Sequence, residues 1–279
     1  MNRPEARDVI DAALAEDIGP GDVTGQTLFP ASARARALLF SRSSGVLAGE
    51  WVAAEVFLRL DPKAEVRRLA KDGAALRPGK RILEVRSTAR ALLAGERTAL
   101  NFIQRLSGIA TLARAFSRRA KGTTVLDTRK TTPGMRGLEK WAVLMGSASN
   151  HRSGLYDAAM IKDNHLALLG GHVNLRVHVG RLHEKGVKVT VEAKSETEAT
   201  RAIMAGADRV LLDNFKPARL AKLIPRLRQI APKVELEVSG GVRLDTIARI
   251  ARLRPDFVSV GAITHSAPAL DISMDLFPA

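Results

Sequence analysis

Between residues 123 and 260 one pattern constrains the fold more than any other feature: short β-branched runs alternate with amphipathic helical stretches. Strands are expected at 123–127, 158–162, 187–193, 209–212, 234–238 and 257–260. Between the last four lie helical stretches at 196–205, closed by Gly206, at 218–230 and at 245–252. Strand then helix, repeated, implies parallel strands joined by crossover helices. A barrel and an open doubly wound sheet both satisfy that rule. A regular eightfold barrel usually takes 200 residues or more, and this region offers about 150. The expected fold class is therefore α/β, an irregular, incomplete α/β barrel.

The first hundred residues read differently. A short helix is expected at 7–16, where Ile10 and Leu14 share a face, and the segment AEDIGPGDVT (15–24) breaks it. Short strands are expected at 35–41, 65–69 and 81–85, punctuated by Asp72-Gly73 and Pro78-Gly79-Lys80. This describes a small α+β, sandwich-like domain. From Leu100 the apolar positions Ile103, Leu106, Ile109, Ala113 and Phe116 recur every three or four residues, giving a long helix that carries Gly108 inside it. The expected division is an N-terminal domain over 1–108 and a barrel over 109–267, with 268–279 packing back on the first. No internal repeat, coiled coil or low-complexity tract stands out.

Composition excludes several classes. The 279 residues include no cysteine, so disulfides, thiolate zinc sites, Cys-ligated clusters and a cysteine nucleophile are all excluded. No apolar run approaches the roughly 20 residues of a membrane span. The start, MNRPEARDVIDAALAEDIG, has early acids and no apolar core, so it is not expected to be a secretory signal and the cytoplasm is the expected compartment. The net charge of +15 needs a reason: nucleic acid, an anionic surface or an acidic small ligand. Of that surplus, +4 falls in residues 1–108 and +11 in 109–279. Only 11 residues are aromatic and none forms a base-stacking cluster, which argues against nucleic acid. A merely solvated basic surface accounts equally well for most of these residues.

In parallel α/β folds the functional groups gather past the carboxyl ends of the strands. Here six such ends are polar in succession. The first runs into Asp127-Thr128-Arg129-Lys130-Thr131-Thr132-Pro133-Gly134, and the second into Lys162-Asp163-Asn164-His165. The others end at Glu192, at Asp213-Asn214, at Ser239-Gly240-Gly241 and at Gly261 through His265. Arg129, Lys130, His151, Arg152 and Lys162 suit carboxylates or phosphates, and guanidinium forks select planar acids. Glu192 and Asp213 are the kind of carboxylates that hold Mg²⁺ together with substrate phosphates. Bare backbone N–H groups at Ser239, Gly240, Gly241 and Gly261 suit a phosphate. The set describes a pocket for an anionic ring compound beside a Mg²⁺-bound phosphorylated one.

Taken singly, each residue also has a plainer reading. Any one arginine of 127–130 could be a surface or salt-bridge residue. Glu192 alternates away from Val187, Val189 and Val191, which places it on the interior face, where a ligand role is favoured over an unpaired charge. Ser-Gly-Gly alone is a turn. Asp163-Asn164-His165 could be a helix cap. His172, His178 and His183 lack metal-ligand spacing and read as surface or core histidines.

The motifs carry more together. Arg97-Thr98-Ala99-Leu100-Asn101, Leu106 through Thr111 (LSGIAT), DTRKTTPGMRGLEKWAV (127–143), NHRSGLYD (150–157) and IKDNH (161–165) resemble the quinolinate phosphoribosyltransferase family. LLDNF (211–215), SGGV (239–242) and SVGAITHSAPALDIS (259–273) continue the likeness in order, and AEDIGPGDVT fits the family's N-terminal block. The resemblance runs from about Glu16 to Asp271, nearly the whole chain.

It implies an N-terminal sandwich-like domain, an irregular barrel, and a Mg²⁺-dependent transfer of phosphoribose from phosphoribosyl pyrophosphate to quinolinate. The implied products are nicotinate mononucleotide, pyrophosphate and CO₂, in de novo NAD biosynthesis. It implies a homodimer in which Arg97 reaches the neighbouring subunit's site. It further implies that Arg97, Arg129, His151, Arg152 and Lys162 clasp the two carboxylates, with Lys130 beside them. Glu192 and Asp213 then hold Mg²⁺ and the ribose, and Ser239, Gly240, Gly241, Gly261 and His265 cradle the 5′-phosphate. Two departures stand out: the family's Gly-Gly-Gly run reads Gly146-Ser147-Ala148 here, and an acidic residue two before Glu192 is Thr190. Three rival readings predict other behaviour. A relative associated with molybdenum transport lacks the IKDNH block, a nicotinate-using transferase needs fewer cations, and a nucleic-acid binder has no turnover.

Overall fold

The computed structural model describes residues 4–170 and 174–279. The reading of His172 therefore lies outside the described residues, as do the first three residues of the sequence. The early strands are β1 (Arg34–Ser41), β2 (Gly45–Val46), β3 (Glu65–Arg68), β4 (Ala75–Leu76) and β5 (Arg81–Thr88). Next come β6 (Thr124–Leu126), β7 (Ala159–Ile161), β8 (Val189–Ala193) and β9 (Arg209–Asp213). The last are β10 (Glu235–Ser239), β11 (Phe257–Ser259) and β12 (Ile272–Pro278).

By internal contacts the chain falls into two units: 1–114, 131–147 and 263–279 form the first, and 115–130 with 148–262 the second. The expected boundaries at 108 and 267 differ from these chiefly in residues 131–147. There the helix Arg136–Met145 is tied by first-unit side chains: Trp141 Nε1 donates to Asp72 at 2.6 Å and Arg114 to the Met145 carbonyl at 2.9 Å.

In the first unit an antiparallel sheet runs in the order β12-β1-β5-β3, with β2 and β4 forming a separate pair. The C-terminal strand is register-matched to β1 from Ile272 opposite Ser41 to Pro278 opposite Ala35. Alternation along β1 and β5 buries Ala37, Leu39, Leu83 and Val85. The helix Glu50–Leu60 supplies Val52, Val56 and Phe57 to this core. The helix Ala89–Arg119 starts earlier than the periodicity from Leu100 indicated. Thr88 Oγ1 accepts the Ala91 N–H at 3.2 Å and fixes that start. Gly108 is required within it, because a Cβ there would strike the Pro268 carbonyl.

The second unit is a six-stranded parallel sheet in the order β6-β11-β10-β9-β8-β7. The two outer strands, β6 and β7, are not paired with each other, so the sheet does not close. One face is apolar and buried, with Val189, Val191, Val210, Leu212, Leu236, Val238 and Val258. The helices Glu196–Met204 and Pro217–Ile230 bury Ala199, Ala202, Leu220, Leu223 and Leu227. The opposite face is polar in register, for Ser239 lies beside Asp213, Glu237 beside Leu211 and Glu235 beside Arg209. That face leads to the strand ends where the site is built. No helix among the described residues is long and apolar enough to cross a membrane.

Candidate active site

Strand β6 ends in Asp127, which is fully buried and whose Oδ1 accepts the His151 backbone N–H at 2.8 Å. Asp127 N in turn donates to the Ser149 carbonyl at 3.1 Å. These bonds stitch the loop carrying His151 and Arg152 to the segment that follows β6 and carries Arg129 and Lys130. Arg152 is half-buried and donates to the Ala158 carbonyl at 3.1 Å. Its guanidinium is pushed below its ordinary pKa by burial and by the neighbouring Arg129 charge, with Asp157 partly opposing. Arg129 Nε is buried with no hydrogen-bond partner among the described residues. Two neighbouring guanidinium groups, one with a buried donor that has no hydrogen-bond partner among the described residues, make a setting suited to an anion. Lys130 is exposed on the same segment, its backbone N–H held by Thr128 Oγ1 at 3.0 Å.

The next strand ends bring together the acid groups. Lys162 Nζ contacts Glu192 Oε2 at 2.9 Å, and the Glu192 side chain is only 9% exposed. The Asp213 carboxyl is raised by burial and by repulsion from Glu192, a shift opposed by Asn214, Lys162 and Lys194. Asn214 Nδ2 donates to Asp213 at 2.7 Å, while its backbone N–H reaches the Ser239 carbonyl at 2.9 Å. Gly240 and Gly241 both adopt positive φ, +92° and +59°. A Cβ on Gly240 would meet Asn214, including its backbone nitrogen at 2.8 Å, so only glycine fits this approach.

Glu192 and Asp213 form a close carboxylate pair with one member destabilised as an anion, an environment that a cation relieves. Among the described residues no group of three or more His, Cys, Asp or Glu could hold a metal. The donor set thus fits Mg²⁺, which takes one or two protein carboxylates and completes its shell with water and phosphate, and does not fit an all-protein metal cage.

Of the remaining expected residues, Gly261 follows β11 in the second unit, whereas Arg97 and His265 belong to the first. Arg97 is exposed on the helix Ala89–Arg119, and His265 is exposed with Nδ1 at 2.6 Å from Ser266 Oγ. The cap reading of Asp163-Asn164-His165 also holds: these residues open the helix Asp163–Leu168, and His165 Nδ1 accepts the Lys162 N–H at 2.9 Å. His178 is half-buried, and His183 is exposed and paired with Asp208 at 2.8 Å.

Sequence reasoning missed Glu237. It is fully buried on β10, two residues before Ser239, with Oε2 at 3.1 Å from Arg209 and Oε1 at 3.4 Å from His151 Nε2. Ser259 Oγ also donates to it. The two-residue alternation that singled out Glu192 applies equally to Glu237 and was the signal available.

A parallel sheet whose carboxyl ends assemble guanidinium forks, an ammonium, paired carboxylates and a glycine turn defines an α/β enzyme for anionic substrates. The comparisons with known proteins narrow that class. The sequence model for the quinolinate phosphoribosyl transferase C-terminal domain matches residues 109–275, and that for its N-terminal domain matches 22–107. The chain is 39% identical over 281 residues to the probable nicotinate-nucleotide pyrophosphorylase [carboxylating] of Bacillus subtilis, covering 99% of this chain and 95% of that protein. It is 41% identical over 274 residues to the Homo sapiens nicotinate-nucleotide pyrophosphorylase [carboxylating], covering 96% and 91%. The crystal structure of NadC from Streptococcus pyogenes superposes with a TM-score of 0.90 at 37% identity, covering 98% of this chain and 97% of that one. The chain belongs to the quinolinate phosphoribosyltransferase family.

Proposed function

We infer that the chain catalyses the decarboxylating transfer of phosphoribose from phosphoribosyl pyrophosphate to quinolinate, giving nicotinate mononucleotide, pyrophosphate and CO₂ for NAD biosynthesis. The relatives' names describe a pyrophosphorylase that carboxylates, and that reaction run backwards is the decarboxylating transfer. The observation that supports the reading is the pair Arg152 and Arg129: burial and Arg129 push the Arg152 guanidinium below its ordinary pKa, and Arg129 Nε is buried with no hydrogen-bond partner among the described residues, a setting suited to a planar dianion.

In this reading Arg129, Arg152, His151 and Lys162 organise the clasp for the two carboxylates, and Lys130 faces the phosphates. Glu192 keeps Lys162 in place through the 2.9 Å contact. Glu192 and Asp213 would hold Mg²⁺, and Ser239, Gly240, Gly241 and Gly261 present backbone N–H groups to the 5′-phosphate. Bound there, Mg²⁺ offsets the charge that develops on the departing pyrophosphate. The protein's own part is to align the pyridine nitrogen with the ribose C1 as pyrophosphate leaves. The new positive ring nitrogen then stabilises the electron pair left behind when the 2-carboxylate departs as CO₂. Such chemistry needs no covalent nucleophile.

The same reading includes a homodimer in which the exposed Arg97 reaches the neighbouring subunit's site, and a cytoplasmic location. Its test is turnover of quinolinate and phosphoribosyl pyrophosphate with Mg²⁺, with the quinolinate KM raised in Arg152→Ala. Turnover of nicotinate instead would overturn the dianion clasp.

A further inference from the structure

His151 is enclosed, its side chain 9% exposed, with Nδ1 hydrogen-bonded and Nε2 buried within ion-pair distance of Glu237. Nδ1 accepts the backbone N–H of Arg152 at 2.7 Å, so Nδ1 carries no proton. The proton is therefore on Nε2, which faces Glu237 Oε1 at 3.4 Å. Glu237 has no exposure to solvent, and its carboxylate is anchored by Arg209 at 3.1 Å and by the Ser259 hydroxyl. Arg209 is itself fixed, paired to Glu235 at 2.8 Å and stacked 3.9 Å above the centre of the Phe257 ring. Arg209 at 3.1 Å and the Ser259 hydroxyl stabilise the buried Glu237 carboxylate as an anion.

A line of contacts thus runs from the polar face of the sheet, through the 3.4 Å approach of Glu237 to His151 and the bond from the Arg152 N–H, to the residue whose guanidinium lies near Arg129. Resting on the dianion-clasp reading above, we propose that Glu237 is a positioning residue: acting through the neutral, Nε2-protonated ring of His151, it fixes the Arg152 backbone and so aims the Arg152 guanidinium at quinolinate. His151 in this account contributes a strut, and the positive charge of the clasp comes from the two arginines and Lys162. A partner that fixes the tautomer of a histidine governs what its other nitrogen can do.

Glu237→Gln separates this role from bulk packing, because it keeps size and removes charge. The amide oxygen turns to Arg209, the stronger donor, and its NH₂ then faces His151 Nε2. The ring is driven to the Nδ1-protonated form, which breaks the bond from the Arg152 N–H. Two readouts follow in ¹⁵N-histidine-labelled protein, with the His151 signals assigned by their loss in His151→Gln. In the wild-type protein without substrates, His151 shows a protonated Nε2 and an unprotonated Nδ1, and Glu237→Gln inverts the pair. In kinetics, Glu237→Gln raises the KM for quinolinate about tenfold, the effect of one lost charge-assisted bond, and leaves the KM for phosphoribosyl pyrophosphate within about twofold. Ser259→Ala, which removes one anchor of the carboxylate, moves the quinolinate KM the same way by less, and it carries the kinetic test if Glu237→Gln does not fold. A doubly protonated or Nδ1-protonated His151 in the wild-type protein overturns the inference. So does a variant whose two KM values rise together. Absence of any quinolinate turnover in the wild-type protein defeats the functional reading instead, and the ring-nitrogen measurement still decides the tautomer.

Discussion

Arg152 and Ser147 show how single side chains report on the site and on the fold. Because burial and Arg129 disfavour the Arg152 charge and Asp157 offsets them only in part, a bound anion would stabilise this guanidinium further. Arg152→Ala should weaken quinolinate binding by about 2 kcal/mol, roughly a thirtyfold rise in KM, with an unchanged KM for phosphoribosyl pyrophosphate. Steady-state kinetics with each substrate varied in turn will check this. Ser147 occupies a position where the family resemblance implies glycine, and its φ of +64° lies in the left-handed region. Ser147→Gly should raise stability by about 1 kcal/mol, seen as a higher urea midpoint at unchanged slope. Asp61 acts at the end of the helix Glu50–Leu60, accepting from Ser87 Oγ at 2.6 Å and from the Lys63 N–H at 3.0 Å. The Ser87 bond is the largest influence holding its carboxyl below the ordinary value, against a raising contribution from burial. Its folded pKa is depressed, so its stabilisation is present above the unfolded carboxylate value near about 3.9 and is lost as pH falls through the folded value. The stability gap between the wild-type protein and Asp61→Asn, measured by urea unfolding, should therefore be full at pH 6 and close below about pH 4.

Among the elements, the strands of the parallel sheet were the most legible. Their β-branched runs are buried on one face, and each of the six expected segments contains the observed strand or matches its ends within a residue. The Glu235–Ser239 strand was displaced by one residue from the expected 234–238. What escaped were elements whose support is tertiary. The helix Arg136–Met145 hides behind a glycine- and proline-bearing approach and is held by Trp141, Glu139 and their distant partners. Strand β12 pairs with β1 across more than two hundred residues of chain, and no local signal gives its register. At the site, cations and carboxylates at the strand ends were visible because six polar endings in order are improbable in a buried sheet. Glu237 was not, because its meaning comes from the 3.4 Å approach of His151, a loop residue from another part of the chain. The turn after β10 makes its own prediction. Gly240→Ala would force a Cβ against Asn214 and strain a positive φ. We expect it to raise the KM for phosphoribosyl pyrophosphate more than that for quinolinate.

At the scale of the whole molecule, the basic surplus of +15 finds its reason in two polyanionic substrates, and the scarcity of aromatics fits that better than nucleic acid does. If Arg97 serves the neighbouring subunit's site, then mixing Arg97→Ala with Arg152→Ala protein, followed by exchange of subunits and assay at low quinolinate where each variant alone turns over little, should restore about a quarter of the wild-type activity, because half of the dimers then carry one intact site. No restoration would place both residues in one subunit's site. Removal of divalent cations with a chelator should abolish turnover, and Mg²⁺ should return it. The most direct test of the account is product formation from phosphoribosyl pyrophosphate and Mg²⁺ with quinolinate and nicotinate offered in parallel. The account predicts nicotinate mononucleotide and CO₂ from quinolinate only, with the quinolinate KM raised about thirtyfold in Arg152→Ala. Nicotinate turnover at a comparable rate, or quinolinate turnover indifferent to Arg152, would contradict it.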